Sequence, residues 1–165
     1  MEWAWKGGSA AFPVPPEDLE VNERTGSSGE CSGTIVMPRK VGTYTLEARC
    51  PFWDVPPVSW EITVLPTIPG YFEDLSCLPS RGKVGEPLFF TVSVRDIFGN
   101  PCPEWTVNVY RRGENGALVK EQSVSTSAEG KASFSLTPKR EGVFIVEAWV
   151  YRTNLSLTWS IPVDP

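Results

Sequence analysis

Residues 92–101 read Val92-Ser93-Val94-Arg95-Asp96-Ile97-Phe98-Gly99-Asn100-Pro101, and residues 129–148 read EGKASFSLTPKREGVFIVEA. Phe90, Val92 and Val94 alternate with Thr91, Ser93 and Arg95, and Ala132, Phe134 and Leu136 alternate with Ser133, Ser135 and Thr137. A period of two sends successive side chains to opposite faces, which marks strands with one face buried. Asp96, Gly99 and Asn100 then form a tight turn. Gly99 adopts positive φ cheaply, the Asp96 carboxylate bonds backbone N–H groups a few residues on, and Pro101 fixes the exit.

The same period runs outward from these stretches. Trp105, Val107 and Val109 alternate with Thr106, Asn108 and Tyr110, while Phe144, Val146, Ala148 and Val150 form a further apolar row. Strands at residues 71–77, 118–124 and 155–163 bring the number to about seven between Gly, Pro, Asn and Asp turns, and no stretch sustains a 3.6 period. Seven short strands in about 100 residues are expected to build an all-β, immunoglobulin-like sandwich.

Self-comparison at a shift of 100 lays Pro38-Arg39-Lys40-Val41-Gly42-Thr43-Tyr44-Thr45-Leu46-Glu47-Ala48 over Pro138-Lys139-Arg140-Glu141-Gly142-Val143-Phe144-Ile145-Val146-Glu147-Ala148. Pro, Gly, Glu and Ala are kept, basic residues replace basic ones, and Tyr replaces Phe. Residues 60–64 match 159–163 at a shift of 99, and Glu2-Trp3 matches Glu104-Trp105 at 102. The expected organisation is therefore a tandem repeat, with residues 67–165 a complete unit and residues 1–66 a partial one lacking its first two strands. A sheet without its facing layer is expected to expose apolar surface unless another chain supplies the strands.

Residues 92–101 followed by 129–148 resemble the filamin-type repeat and equally the Ig-like domains of bacterial invasin and intimin adhesins. The shared pattern is a strand ending in Asp, a Gly-Asn turn, a Gly-opened strand, Pro, a second Gly and an aromatic residue. Filamin-like units also occur in gamete adhesion proteins of plants and algae. The resemblance implies a non-catalytic module of a larger protein, acting in cell-surface adhesion or as a spacer through protein contacts. The alternative within it is a cytoplasmic, actin-crosslinking scaffold. It further implies a usable edge between the third and fourth strands, residues 105–110 and 118–124, with Thr106, Asn108 and Tyr110 as outward binding candidates beside neighbouring repeats.

Composition narrows function independently. The 165 residues contain no His, which removes Ser-His-Asp and Cys-His catalysis and His-ligated metal, so no enzyme and no cofactor are expected. A net charge of −5 disfavours nucleic acid, whose affinity rests on clustered Lys and Arg. The longest apolar runs, residues 143–146 and 148–151, fall far short of the roughly 20 residues of a membrane span.

Other motifs have plain structural readings. Gly29-Glu30-Cys31-Ser32-Gly33 imitates a nucleophile elbow, but without His to activate the thiol it reads as a turn before a strand. Glu17, Asp18, Glu20 and Glu23 read as solvated charge. Calcium on Asp96 would have only Glu104 as a nearby second acid, so no metal site is expected. Trp60, Trp105 and Trp159 recur in phase and read as core, whereas Trp53 in a Pro-rich loop would be the stacking residue of a carbohydrate-binding module. The four cysteines, Cys31, Cys50, Cys77 and Cys102, do not occupy equivalent positions, and a Cys77–Cys102 bridge is sterically conceivable. Asn154-Leu155-Ser156 is a glycosylation sequon. Together with the even cysteine count it points to an extracellular or cell-surface setting.

Overall fold

The computed structural model describes residues 2–8, 21–22, 27, 30, 37–50, 54–113 and 115–165. Cys31, Trp53 and the acids Glu17, Asp18, Glu20 and Glu23 lie outside them. The chain divides into two compact units, Met1–Pro66 and Thr67–Pro165.

Among the described residues the second unit has eight strands: β5 (Pro69–Asp74), β6 (Gly82–Lys83), β7 (Leu88–Asp96), β8 (Thr106–Arg112), β9 (Leu118–Ser125), β10 (Lys131–Leu136), β11 (Gly142–Val150) and β12 (Ser156–Asp164). They form a three-stranded sheet in the order β10-β7-β5 and a five-stranded sheet in the order β6-β12-β11-β8-β9. All ladders are antiparallel except the short β6–β12 pairing. This division of strands between two layers is that of an immunoglobulin-like β-sandwich.

The alternating residues of the sequence fill the space between the layers. Phe90, Val92, Val94, Val107, Val109, Val146 and Ala148 are wholly buried. Phe90 stacks on Phe134 at 5.0 Å, and Trp159 meets both rings edge-on at 5.1 and 6.0 Å, joining β7 and β10 of one sheet to β12 of the other. Buried aromatics contribute by area and by such geometry, at about 0.5–1.5 kcal/mol per pair beyond burial. The Trp159 indole N–H donates to Asp74 Oδ2 at 2.7 Å, so the polar end of the ring is satisfied at the rim. The first strand begins and ends earlier than the sequence pattern suggests. At its end the Ser76 hydroxyl accepts from Thr91 N and donates to Thr91 O, taking the place of backbone ladder bonds.

The Asp96 turn is a buried network. Oδ1 accepts from the backbone N–H of Phe98 and Asn100, both at 2.9 Å, and Oδ2 accepts from Asn100 Nδ2 at 2.9 Å and Thr67 N at 3.1 Å. One carboxylate thereby fixes the turn and ties down the first residue of the unit. Burial pushes its pKa up, but the hydrogen bonds from Asn100, Thr67 and Phe98 outweigh that and hold it below the usual range. With both oxygens occupied by donors, the residue is a staple and not a cation ligand. Gly130 lies against this turn at φ 71°. A Cβ there would stand 2.6 Å from the Val94 carbonyl oxygen and 3.0 Å from Cys102 N, which explains why β10 opens on glycine.

The first unit has β1 (Glu2–Gly8), β2 (Val21–Asn22), β3 (Gly42–Arg49) and β4 (Val58–Val64) in one sheet ordered β2-β1-β3-β4, matching β9-β8-β11-β12 of the second unit. The β3–β4 register pairs Leu46 with Trp60 as β11–β12 pairs Val146 with Trp159, in line with shifts of 100 and 99. For β1 the structure corrects the repeat. Trp5 opposes Leu46 as Arg111 opposes Val146, an offset of 106 residues, so the Glu2-Trp3 match to Glu104-Trp105 is coincidental. Trp60 is also corrected: it is 42% exposed where Trp159 is 8%. Trp159 is covered by Phe90 and Phe134, and the described residues of the first unit include no strand equivalent to β7.

Removing the Asp96 network leaves buried donors unpaired, so Asp96→Ala is expected to lower stability by about 2–4 kcal/mol in denaturant titration. Because the folded-state pKa of Asp96 is depressed, its contribution is complete above about pH 4 and is lost as pH falls through the folded value. Wild-type stability should therefore drop below pH 4 more steeply than that of Asp96→Ala. Gly130→Ala is expected to cost more than about 2 kcal/mol, since the obstructing atoms are backbone.

Candidate interaction surface

Alternation along β8 buries Val107 and Val109 and turns Thr106, Asn108 and Tyr110 to the opposite, outer face of the five-stranded sheet. In that respect these residues point as the sequence implies. Their strand is not an edge, however, because β8 pairs with β11 on one side and β9 on the other. The two strands are directly bonded with no groove between them, and the open edge is β9. Asn108 is buried, and its Oδ1 accepts from Ser123 Oγ at 2.8 Å across the β8–β9 ladder.

The register of β11 sets a second row beside these residues. Trp149 opposes Asn108 and Glu147 opposes Tyr110. Tyr151 follows, its backbone N–H donating to Thr106 O at 2.9 Å. Trp149 is 37% and Tyr151 51% exposed, and the Arg152 guanidinium lies 5.3 Å from the Tyr151 ring centre. At the other end of this row Glu147 is only 5% exposed although it lies on a solvent-facing side, and its carboxylate pairs with Arg112. An acidic group that is nearly buried needs such a partner, since desolvating an unpaired carboxylate is costly.

The result is a face on which Trp149 and Tyr151 extend along β11 from the Glu147–Arg112 pair, with Tyr110 opposite Glu147. Sequence reasoning placed only Tyr110 of these five residues. Arg112, Glu147, Trp149 and Tyr151 were missed, although the outward phase of residues 143–151 carries the signal for the last three.

The remaining candidates are dispersed. Asn154 is exposed in the β11–β12 turn, accessible to glycan transfer. The Cys77–Cys102 bridge is not made: Cys77 is exposed, while Cys102 is buried with its Sγ directed at the Thr67 and Asn100 carbonyls at 3.8 and 3.9 Å. Burial, together with the Asp96 charge, pushes the Cys102 thiol pKa up and keeps it unreactive. Among the described residues no group of three His, Cys, Asp or Glu side chains is placed to hold a metal.

No family model matches the chain. Among solved structures it is similar to domains 4 and 5 of the S-layer protein SbsC, at 13% identity and TM-score 0.48, covering 74% of this chain and just under two thirds (65%) of that one. It is also similar to the D00-D0 domain of intimin, at 15% identity and TM-score 0.46, covering 100% of this chain and 85% of that one. A match to a β-glucosidase from Listeria innocua, at 18% identity and TM-score 0.41, covers 58% of this chain and 16% of the enzyme. With these scores below 0.5, the assignment of the fold rests on the strand order and not on the likenesses.

Glu147 and Arg112 form a coupled pair that a double-mutant cycle can isolate. Glu147→Gln and Arg112→Ala, singly and together, are expected to give a coupling of about 1 kcal/mol, limited by the exposure of Arg112. A coupling indistinguishable from zero would remove the pair as an organiser of the face.

Proposed function

We propose that the chain is a non-catalytic segment of immunoglobulin-like repeats from a larger surface protein, acting in adhesion through a protein partner that docks on the outer face of β8 and β11. The observation that carries this reading is that Tyr110, Trp149 and Tyr151 share one outer sheet face with the Arg112–Glu147 pair. Trp, Tyr and Arg are the residues that most often dominate protein interfaces, because they combine large apolar area with few rotatable bonds and a polar handle. A sheet supplies the rigid backing that keeps such a surface preorganised. The repeats themselves would set reach between this face and the rest of the protein. The residues resembling filamin-type and invasin-type repeats support the same reading, and the exposed Asn154 supports an extracellular setting.

Beads carrying the chain should adhere to cells of the native source. Trp149→Ala with Tyr151→Ala should reduce that adhesion at least tenfold, about 1.4 kcal/mol, with little change in melting temperature. Intact mass of the native protein should show a glycan on Asn154. Unchanged adhesion by the double variant would overturn the assigned face, and an unmodified Asn154 in a cytosolic fraction would favour the scaffold alternative.

A further inference from the structure

The opening segment of the second unit is bonded directly to its closing strand. β6 lies along the end of β12, Gly82 against Val163 and Lys83 against Asp164, in the one parallel ladder among the described residues. Val84 extends it, its N–H donating to Asp164 O at 3.0 Å. Just before β6, Arg81 closes on the Asp164 carboxylate through two N–H groups, Nε donating to Oδ2 at 2.8 Å and Nη2 donating to Oδ1. The Trp159 indole N–H on Asp74, at 2.7 Å, joins the end of β5 to β12 as well.

The chain enters and leaves the unit at opposite ends of the sandwich. Asp96, the last residue of β7, accepts from Thr67 N and pairs with Pro69. Asp164 lies at the other end, because Gly82 sits between Val163 and Leu88, the first residue of β7. Tension applied at residues 67 and 165 therefore draws β5 lengthwise along β7, and then β6 lengthwise along β12. Because β6 and β12 run the same way, one is pulled toward each end. A ladder loaded in this manner is sheared, and its bonds share the force and fail together. A ladder pulled sideways from one end is peeled, and its bonds fail one at a time.

We infer that the second unit is built to carry tension along the chain, with the β6–β12 ladder and the Arg81–Asp164 pair as its mechanical clamp. Stability at rest does not call for that pair, since both side chains are exposed and exposed ion pairs contribute little. The forked guanidinium instead adds two charge-assisted bonds at the junction where force crosses from the opening segment to the closing strand. The backbone is secured behind it. Gly85, at φ 81°, turns the chain straight after β6, and its N–H donates to the carbonyl of the wholly buried Pro138 at 2.9 Å. The clamp concerns how tension passes through the repeat, whichever face takes a partner, so it stands apart from the docking proposed above.

The test holds the full chain under constant tension through handles at residues 67 and 165 and measures how fast the unit ruptures. A second attachment uses residue 86, exposed just after β6, with residue 165. Both of those handles lie at one end of the sandwich, so the same ladder is peeled. Rupture at the same load is expected to be at least tenfold slower in shear than in peel. Arg81→Ala is expected to speed rupture in shear at least threefold, while leaving the unfolding rate in denaturant without load unchanged, because forced unfolding follows the barrier along the pulled direction. Equal rupture rates in the two attachments would overturn the inference, as would an Arg81→Ala chain that ruptures no faster than wild type in shear. An Arg81→Ala effect of the same size with and without load would also overturn it, by marking the pair as an ordinary stabilising contact.

Discussion

A sheet whose strands alternate apolar and polar residues has one face that must be covered, and in residues 67–165 three rings do the covering. Phe90 and Phe134 stack within one sheet, and Trp159 closes on them from the other. The rest of the unit depends on that closure. The pleat and register of β8 and β11 set which of their residues lie inward beneath it, and therefore which point out beside Glu147 and Arg112. The Asp96 network does the same for the end of the sandwich, where one buried carboxylate holds the turn and the first residue of the unit together.

In the first unit the equivalent tryptophan, Trp60, is 42% exposed where Trp159 is 8%. Leu46 and Tyr44 are buried in a small cluster with Ile62 and Val64 packed against it, yet Trp60 remains exposed. Strand order and register agree between the units, so the difference in exposure of the two tryptophans is not one of strand order.

The pleat was legible in the sequence because a period of two survives any loop length, and so were the Asp96 turn and the glycine that opens β10. Less legible were features set by register across strands. A two-residue match misplaced β1 by four positions, since Glu-Trp is too short to outweigh the hydrogen-bonded register. Trp60 looked like core because phase alone cannot report how much of a side chain its neighbours cover. Thr106, Asn108 and Tyr110 were placed on the correct face but on an assumed edge, because pairing on both sides of β8 is a property of the whole sheet.

Native-state hydrogen exchange on the full chain tests the role of the facing layer most directly. Slow exchange requires the protecting structure to open, and its free energy reports how much packing must be lost. Amides of Val146 and Ile161, beneath the closed ring cluster, are predicted to exchange only through global unfolding of their unit. Those of Leu46 and Ile62, at the equivalent positions beside the exposed Trp60, are predicted to exchange at least a hundredfold faster. Equal protection at the two pairs of sites would contradict the account.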